Sequence, residues 1–504
     1  MSRYQARFWP PAVDSTEQLL YIYIEEIFSQ HLMHRKDRFY GETLSMNTTT
    51  YSVPTVFGRI QNKQTPVTAE VPGSKSITNR ALLLATLAQG TSTLTGVLFS
   101  DDSRHFLQCI EDLGFATKVD EEKKTISVTG LGGVVPRKEA TLDVGSAGTA
   151  ARFLTAYLGV ASGTYHMTSS PQMQKRPMAP LLHSLEELGC AVTYDNPEAW
   201  IGHFPFTLQG NGFQKQAITI NIDSSSQFMS ALLIASCLSG EDFTITMEGS
   251  HGLAYVEMTV RMMEQFGVTA TPLYYCDGNK ENHDCIGCVN STRPYAYRTA
   301  AGQAYTAREY AVEPDVSAAC YFYACSPLLG IPVLVKGVFS DSLQGDVAFL
   351  DILVQMGCSM TETREGLLVE PPADGIFHGV TVDMSACSDQ AITLAAIAPF
   401  ASSPTTITGI GHIRLQESDR LTAISTELTR LGIRNETTAD SITIYPGTPK
   451  PGTVDTYEDH RMAMGFALIG LRSEGIVIRD PSCCRKTFEN YFEVLEEMIR
   501  SLTE

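Results

Sequence analysis

The sequence has no apolar run long enough to cross a membrane and no excess of basic residues. A membrane-spanning helix needs roughly 20 consecutive apolar residues, and the amino-terminal segment lacks the basic, apolar and small-residue order of a secretory signal. The chain has 37 lysines and arginines against 56 acidic residues, a formal net charge of −19, which repels polyanions. We therefore expect a cytoplasmic protein that binds neither a membrane nor nucleic acid.

Two common nucleotide-binding motifs are also missing, since neither a GxGxxG turn nor a Walker loop occurs. Their absence disfavours a doubly wound dinucleotide-binding sheet. The chain has 504 residues, of which 43% are hydrophobic and 18% charged. Because a single hydrophobic core stops growing at roughly 250–300 residues, the sequence predicts a globular protein of two or more domains.

The cysteines form no standard metal site. Cys276, Cys285 and Cys288 lie with His283 in the polar segment CDGNKENHDCIGC, and their spacing matches no common zinc pattern. The other cysteines lie in isolated or apolar positions, where buried reduced thiols are usual. We expect free thiols in a surface insertion and no metal, with a structural zinc as the alternative.

A helical pattern that ends in glycine before a short alternating run recurs along the chain. Leucine, isoleucine and methionine fall at i, i+3, i+4 and i+7, and the glycine lies where a left-handed helix cap is needed. Each copy predicts an amphipathic helix that leads into a strand. The copies read FLQCIEDLGFATKV, LLHSLEELGCAVTY, MTVRMMEQFGVTATP, FLDILVQMGCSMTET and ISTELTRLGIRNETT.

A second pattern begins with small polar residues and continues as an apolar helix. Serine, aspartate and asparagine are good N-caps, and the apolar run predicts a buried helix. An alternating run follows each copy and predicts a strand. The copies read SKSITNRALLLATLA, SAGTAARFLTAYLG, SSQFMSALLIASCL, PDVSAACYFYACS, SDQAITLAAIAPFA and EDHRMAMGFALIGL.

The copies of this second pattern lie roughly 70–90 residues apart. They predict six α/β units, three in each of two domains, with a doubly wound sheet as the alternative. Residues 1–45 stand outside the repeat, although STEQLLYIYIEEIFSQHL has helical periodicity. We expect either an appended helix or a segment absent from the translated protein, since Met46 is an alternative start.

The polar openings of these segments contain an unusual share of the basic residues. Free backbone N–H groups and the helix dipole favour an anion at a helix N-terminus. Like charges brought together are unfavourable unless a counter-anion fills the site, so their recurrence predicts a pocket for small, multiply charged ligands. The alternative for each one is a solvated surface charge. The residues are Lys75, Arg80, Arg152, Arg176, Arg420, Arg461 and Lys486.

Ten short motifs occur in a fixed order from about residue 66 to the carboxyl end. They are VPGSKSITNRALLL, SAGTAARFL, QMQKRPM, SSQFMSALL, EPDVSAACYF, QGD, SDQAITLA, QESDRL, DHRMAMGFAL and KTFENYF. This order resembles that of the 5-enolpyruvylshikimate-3-phosphate synthases, a family of enolpyruvyl transferases.

The resemblance implies an α/β fold of two similar domains, each of three βαβαββ repeats, in which the substrates bind in the cleft between the domains. This arrangement is an inside-out α/β barrel, and the chain would cross twice between its halves. Residues 73–312 would form one domain, residues 46–72 and 313–504 the other, and residues 1–45 an extension.

The resemblance also implies the reaction. The enolpyruvyl group of phosphoenolpyruvate would pass to the 5-hydroxyl of shikimate 3-phosphate through a tetrahedral intermediate that loses phosphate, in chorismate and aromatic amino acid biosynthesis. No cofactor is implied, and we expect a monomer. The residues implied around phosphoenolpyruvate are Lys75, Gly148, Arg176, Arg420, Arg461 and Lys486. Those around shikimate 3-phosphate are Ser76, Arg80, Ser225, Ser226, Gln227 and Asp389, with Tyr255, His412, Gln416 and His460 nearby.

Two proton transfers need catalytic groups. By resemblance, Asp389 is the base for the hydroxyl, and Glu417 or Lys75 is the acid at C3 of the enol. Simpler interpretations exist: Asp389 and Asp315 precede apolar helices and could act only as N-caps, and Glu417 could be a first-turn acid favoured by the dipole. His460 either orients a neighbour or is a core histidine with satisfied hydrogen bonds.

Several positions depart from the commonest family pattern. Gln416 stands where a lysine is usual, and His412 where an asparagine is frequent. Ser146 and Phe153 flank Gly148 where asparagine and proline are common. The first departure removes a cation from the shikimate side, and the last leaves sensitivity to the family inhibitor glyphosate open.

Two alternative functions follow from the same residues. One is transfer of the enolpyruvyl group to UDP-N-acetylglucosamine, by a related family with a lysine-asparagine pair and a mobile-loop cysteine. Here serine follows Lys75, and no cysteine lies near Gly148. The other is a non-catalytic sensor of phosphorylated acids, which Gln416 favours. Retention of Lys75, Asp389 and Glu417 disfavours it.

Overall fold

The computed structural model describes residues 49–61, 63–197, 201–249, 251–274 and 293–503. The expectations for residues 1–45 and for Cys276, Cys285 and Cys288 lie outside these ranges. Within them, no helix is both long and apolar enough to span a membrane, and no three histidine, cysteine or acidic side chains group as metal ligands. The cysteines of the same ranges are free thiols.

The strands and helices of the described chain are numbered in order. The strands are β1 (Thr50–Ser52), β2 (Val67–Ala69), β3 (Gln89–Thr95), β4 (Ala116–Asp120), β5 (Thr125–Leu131), β6 (Glu139–Asp143), β7 (Gly163–Thr168), β8 (Ala191–Tyr194), β9 (Phe206–Gly210), β10 (Ala217–Asn221), β11 (Phe243–Glu248), β12 (Ala270–Leu273), β13 (Ala296–Thr299), β14 (Glu309–Ala311), β15 (Val333–Lys336), β16 (Ser359–Glu362), β17 (Gly366–Glu370), β18 (Thr381–Asp383), β19 (Thr405–Thr408), β20 (Asn435–Thr437), β21 (Ile442–Ile444), β22 (Gly452–Val454) and β23 (Ile476–Arg479). The helices are α1 (Lys75–Leu87), α2 (Asp101–Asp112), α3 (Gly148–Val160), α4 (Pro171–Gln174), α5 (Ala179–Glu187), α6 (Gln227–Ser236), α7 (Leu253–Gln265), α8 (Val316–Leu329), α9 (Ala348–Gln355), α10 (Ala391–Ile397), α11 (Arg420–Arg430), α12 (His460–Arg472) and α13 (Tyr491–Thr503).

Five sheets of the described chain share one topology, in which a parallel pair of strands continues into an antiparallel hairpin. Their strand orders are β14-β3-β5-β4, β6-β7-β9-β8, β10-β11-β13-β12, β2-β15-β17-β16 and β18-β19-β21-β20. In the remaining sheet, β22 and β23 are parallel and β1 lies antiparallel to β23 in place of a hairpin. The predicted α/β class and its repeated unit are confirmed.

Both recurring sequence patterns form the predicted helices. The second pattern gives α1, α3, α6, α8, α10 and α12, and every residue of α3 is buried. The first pattern gives α2, α5, α7, α9 and α11. The glycine two residues beyond each of these five helices has a positive φ, between 78° and 111°, a conformation that a residue with a Cβ atom adopts at a cost.

Buried apolar side chains form two separate clusters. The cluster from residues 77–312 is called here the central core, and the cluster from residues 53–69 and 316–502 the flanking core. The chain passes between them after β2 and again after β14. At this crossing the N–H of Ser74 donates to the Glu313 carbonyl oxygen and the N–H of Asp315 to that of Pro72, each at 2.8 Å. The two connections therefore lie side by side.

Gly210, at the end of β9, shows how closely a sheet packs on its buried helix. A Cβ atom there would lie 2.0 Å from the carbonyl oxygens of Leu158 and Ala161, at the end of α3. Gly130 in β5 approaches the end of α1 in the same way, 2.2 Å from the Ala85 oxygen. Backbone atoms cannot move aside as a flexible side chain can.

We predict that Gly210→Ala lowers the free energy of unfolding by about 1–3 kcal/mol, because the added methyl group forces the strand away from α3. Urea denaturation of the full chain measures the change. Gln209→Ala, at an exposed neighbour on the same strand, is the matched control and should change stability by less than about 0.5 kcal/mol. Equal stabilities of the two variants would contradict the packing argument.

Candidate active site

Helix starts from both cores line one cavity. The central core contributes Ser74, Lys75, Ser76 and Tyr255, and the flanking core contributes Asp315, Ser317, Gln344, Asp346 and Arg461. The helices α1, α8 and α12 therefore direct their N-terminal ends towards the same space. Such ends carry free N–H groups and a partial positive charge, which suits an anionic ligand.

Lys75 lies where the two cores meet. The side chain of Ser74 caps α1, and the Lys75 Nζ lies 3.3 Å from Asp102 Oδ2, at the start of α2. The backbone N–H of Lys75 donates to Asp315 Oδ2 at 3.4 Å. Asp315 also caps α8, where its Oδ1 accepts from the Ala318 N–H at 3.1 Å. The N-cap interpretation of Asp315 is thus confirmed, and the same carboxylate joins the two helix starts.

Three cations surround the carboxylate of Glu417. Its Oε1 lies 3.2 Å from Lys486 Nζ and 3.7 Å from Arg176 Nη1, and its Oε2 accepts from Arg420 Nη2 at 2.9 Å. Burial raises the pKa of this carboxyl, but the charges of Lys486, Arg176, Arg420 and Lys75 together outweigh burial and hold the pKa well below its usual range. Glu417 precedes the N-cap of α11, which is Asp419, so the interpretation as a first-turn acid is wrong.

Asp389 is held between two arginines. Its Oδ1 accepts from Arg420 Nη1 at 3.0 Å, and its Oδ2 accepts from Arg461 Nη2 at 2.6 Å and from the Tyr255 hydroxyl at 3.2 Å. Burial raises its pKa, while Arg461 and Arg420 lower it by more, so the pKa lies below its usual value. Asp389 lies inside the 3-10 turn Ser388–Gln390 and not at an N-cap. The interpretation of this residue as only a cap is wrong.

Asp459 fixes the direction of Arg420. This fully buried N-cap of α12 accepts from Arg420 Nε at 2.8 Å and from its Nη2 at 3.2 Å, a bidentate arrangement that locks the guanidinium plane. The Nη1 group is left to face Asp389, and it also donates to the side-chain oxygen of Gln416. Gln416 therefore helps to orient Arg420 by accepting a hydrogen bond from it. A lysine at this position, which is usual in the family, would repel the arginine instead.

Gly148 starts α3 beneath two guanidinium groups. A Cβ atom there would lie 2.6 Å from Arg152 Nη1 and 3.0 Å from Arg176 Nη1. The two Nη groups of Arg152 donate to neutral groups, among them the Gln227 side-chain oxygen at 3.4 Å and the Pro177 carbonyl oxygen at 3.0 Å, while its Nε has no hydrogen-bond partner among the described residues. Burial and the charge of Arg176 hold the pKa of Arg152 well below its usual range. The excess positive charge makes this helix start attractive to an anion.

Ser76 and Arg80 lie together on α1, but only Ser76 lines the cavity. Arg80 is 1% exposed, and it donates to the Ser76 carbonyl oxygen, the Thr259 hydroxyl and the Tyr255 carbonyl oxygen at 3.0, 2.8 and 3.2 Å. Burial lowers its pKa to about 10. The arginine is therefore bonded to protein groups behind the cavity wall.

Ser225, Ser226 and Gln227 lie at the start of α6. The Gln227 N–H donates to Ser225 Oγ at 3.3 Å, and a Cβ atom at Gly252 would lie 2.5 Å from Ser226 Oγ. The side chain of Gln227 reaches Arg152. These three residues are thus joined to the region of Gly148, and they are not among the residues that line the cavity around Lys75.

Burial lowers the pKa of two histidines near these groups, His412 and His460. His412 Nε2 lies 2.9 Å from Ser388 Oγ, and its ring stacks on that of His251. Burial, with the neighbouring His251, lowers the pKa of His412 to about 3. His460 is buried, and among the described residues neither of its ring nitrogens has a hydrogen-bond partner. The interpretation of His460 as a satisfied core histidine is wrong.

The site contains residues that the sequence did not single out. Gln172 Nε2 donates to the Glu417 carbonyl oxygen at 3.2 Å, and its Oε1 accepts from Lys486 Nζ at 3.5 Å, so it connects the two cores. Each missed residue except Asp102 stands in one of the quoted motifs, and that position is the signal that could have found it. The missed residues are Asp102, Gln172, Asp346 and Asp459.

Comparison with known proteins gives one consistent result. The sequence model of the family described as EPSP synthase (3-phosphoshikimate 1-carboxyvinyltransferase) matches residues 61–495. A 3-phosphoshikimate 1-carboxyvinyltransferase of Trichormus variabilis is 42% identical over 439 residues, which cover 87% of this chain and 97% of the relative.

Solved structures with the same fold extend this result. EPSP synthase from Acinetobacter baumannii superposes with a TM-score of 0.69 at 23% identity, over 89% of this chain and 98% of that one. The enolpyruvyl transferase NikO from Streptomyces tendae gives a TM-score of 0.64 at 16% identity, over 89% and 97%. At these identities the structures show the fold alone, and the fold is the one expected from the sequence.

We predict that Asp459→Asn lowers the free energy of unfolding by about 3 kcal/mol, because removal of a buried carboxylate leaves Arg420 with fewer counter-charges. Urea denaturation measures the change. Glu187→Gln removes one partner of an exposed ion pair with Lys215 and should cost less than about 1 kcal/mol. A loss in Asp459→Asn no larger than in this control would show that Asp459 does not hold the arginine.

Proposed function

This chain belongs to the EPSP synthase (3-phosphoshikimate 1-carboxyvinyltransferase) family, and from that premise we propose that it transfers the enolpyruvyl group of phosphoenolpyruvate to the 5-hydroxyl of shikimate 3-phosphate, with release of phosphate. The reaction joins two small, multiply charged acids. The observation that supports it is the meeting of four cations, Arg176, Arg420, Arg461 and Lys486, on the two carboxylates Glu417 and Asp389.

We propose that phosphoenolpyruvate binds across these cations. Arg420 and Arg461 present planar guanidinium groups on either side of Asp389, which suits the planar carboxylate of the substrate. Lys486 and Arg176 lie on the Glu417 side, where they and Lys75 would bind the phosphate. The Gly148 backbone stands beside Arg176, so a phosphate oxygen could approach the start of α3.

On the shikimate side, Asp389 is our candidate for the base that takes the hydroxyl proton. Its low pKa keeps it ionised, and Tyr255 donates a hydrogen bond to it. We assign the carboxylate of shikimate 3-phosphate to Ser76, which lines the cavity, and to Arg80, which would have to exchange a protein partner for the substrate to reach it. We assign the phosphate of shikimate 3-phosphate to Ser225 and Ser226 at the start of α6. Gln227 would pack against the ring.

For the proton that reaches C3 of the enol, Glu417 and Lys75 are the two candidates. Glu417 is ionised while Lys486 and Arg176 lie against its carboxylate, because their charges hold its pKa low. A substrate phosphate that took Lys486 and Arg176 as partners, while the substrate carboxylate took Arg420, would weaken the contacts that lower the Glu417 pKa and leave burial to raise it, so the carboxyl could then carry a proton. Lys75 stands beside Asp102 and is the alternative donor.

We also propose that the two cores correspond to two domains, residues 73–312 and residues 46–72 with 313–504. The separation of the buried clusters supports this division. Contacts such as Arg176 with Glu417 cross between the cores, so closure of the domains would exclude water and strengthen each charge contact. We expect the protein to act as a cytoplasmic monomer.

The decisive experiment is a phosphate-release assay with the purified full chain. Phosphoenolpyruvate should yield inorganic phosphate only when shikimate 3-phosphate is present. If phosphate release instead required UDP-N-acetylglucosamine, the protein would be an enolpyruvyl transferase for that acceptor and our assignment would be wrong. Binding of both acids without turnover, measured by calorimetry, would identify a sensor.

We predict that Glu417→Gln lowers kcat by about 10²–10⁴-fold, the range expected for loss of a general acid or base. KM for phosphoenolpyruvate should not rise, because the amide no longer competes with the substrate for Lys486 and Arg176. Steady-state kinetics with each substrate varied in turn give both values. Glu436→Gln removes an exposed carboxylate and should leave them unchanged. An unaltered kcat in Glu417→Gln would disprove the assignment.

A further inference from the structure

Asp346 is a buried acid that the proposed reaction does not use. It lies in the 3-10 turn Gly345–Val347 before α9, and it lines the cavity together with Lys75 and Arg461. The residue is 3% exposed. Its Oδ2 accepts from the Ser317 hydroxyl, whereas its Oδ1 has no hydrogen-bond partner within the described ranges. A buried, ionised carboxylate with an unpaired oxygen is costly.

The surroundings of Asp346 favour its protonated form. Burial and the charge of Asp389 raise the pKa of Asp346 to about 7, against the opposing effect of Arg461. Three carboxyl groups, those of Asp315, Asp346 and Asp389, thus share this space with Arg461. The titratable groups that face Asp346 from the elements around it are Asp315, Asp389, Arg461, Tyr255, Cys320 and Cys387.

Ser317 connects Asp346 to the arginine that we assign to the substrate. Its hydroxyl has one proton, which it donates to Asp346 Oδ2, so its lone pairs are free to accept from Arg461 Nη2 at 3.4 Å. The same Nη2 donates to Asp389 Oδ2 at 2.6 Å. The charge on Asp346 therefore acts on Arg461 through a single intervening hydroxyl.

We propose that Asp346 is a positioning residue that keeps its proton during turnover, so that Asp389 and the carboxylate of phosphoenolpyruvate are the anions that Arg461 binds. This inference rests on the proposed function, in which Arg461 holds that carboxylate. Loss of the proton places a second protein carboxylate beside Arg461, draws the guanidinium towards Ser317 and weakens the binding of phosphoenolpyruvate.

The kinetic test compares wild type with Asp346→Asn, whose amide cannot ionise. In wild type, kcat/KM for phosphoenolpyruvate should fall by about tenfold between pH 7 and pH 8.5, mainly through KM, as expected for a group that must stay protonated. In the variant the same interval should change kcat/KM by less than about twofold. Asp351→Asn, at an exposed position on α9, should keep the wild-type profile. Parallel profiles for wild type and Asp346→Asn would overturn the proposal.

A second measurement needs no substrate and so separates this proposal from the proposed function. The pKa of about 7 in the folded chain lies above the ordinary value of about 3.9 for an unfolded aspartate. Protonated Asp346 therefore contributes stability that is fully present below pH 4 and is lost as the pH rises through 7. Asp346→Asn escapes this loss, so its Tm relative to wild type should increase from pH 4 to pH 8.

Each outcome of the thermal measurement decides the point. A Tm difference that stays constant with pH would show that Asp346 is not protonated, even if the transferase assay succeeds. If the Tm difference between Asp346→Asn and wild type increases with pH but the protein has no transferase activity, the buried proton on Asp346 is supported and only the proposed function is rejected. Should Asp346→Asn not fold, Ser317→Ala removes the donor to Oδ2, and the midpoint of the kinetic decline should move to higher pH. An unmoved midpoint would contradict the proposal.

Discussion

The sharing of two carboxylates by four cations is the interaction on which the rest of the site depends. Glu417 gathers Arg176, Arg420 and Lys486, and Asp389 bridges Arg420 and Arg461. Without these counter-charges the cations would repel one another in a space of low dielectric. An acidic protein can in this way hold a local surplus of positive charge, because an anionic substrate can compete with each carboxylate for its cations.

The repeated unit explains why these charges meet. The six helices of the second pattern are buried over nearly their whole length, and polar residues at the starts of α1, α8 and α12 line the cavity. Buried helix bodies cannot shift without disturbing a close-packed core, which keeps Lys75 on α1 and Arg461 on α12 in place. Residues outside the regular elements, such as Glu417 and Asp389, then need only short turns to reach the same cations.

Local patterns in the sequence predicted the elements well, because helix periodicity, N-caps and glycine caps are properties of neighbouring residues. The charged residues of the helix openings were also predictable as a group. The partners were not, since Arg420 and Asp459 are 39 residues apart and the pairing of Arg176 with Glu417 requires both cores to fold. The same limit applies to His460, for which the sequence left two interpretations open and whose ring nitrogens have no hydrogen-bond partner among the described residues. It also applies to Asp346, which became notable only once its neighbours were known. The ligand roles and the domain limits stay predictions.

The two connections between the cores would restrict the domain motion that we propose. One flexible linker would let the halves swivel freely and drift apart. Two antiparallel connections are joined by the Ser74 to Glu313 and Asp315 to Pro72 hydrogen bonds. Such a pair would act as a hinge with a single axis. Bending about that axis would leave the two hydrogen bonds intact, whereas twisting or sliding one core against the other would break them. Since Lys75 and Asp315 stand directly at this hinge, their separation would change less during such a bend than the separation of residue pairs that lie away from it.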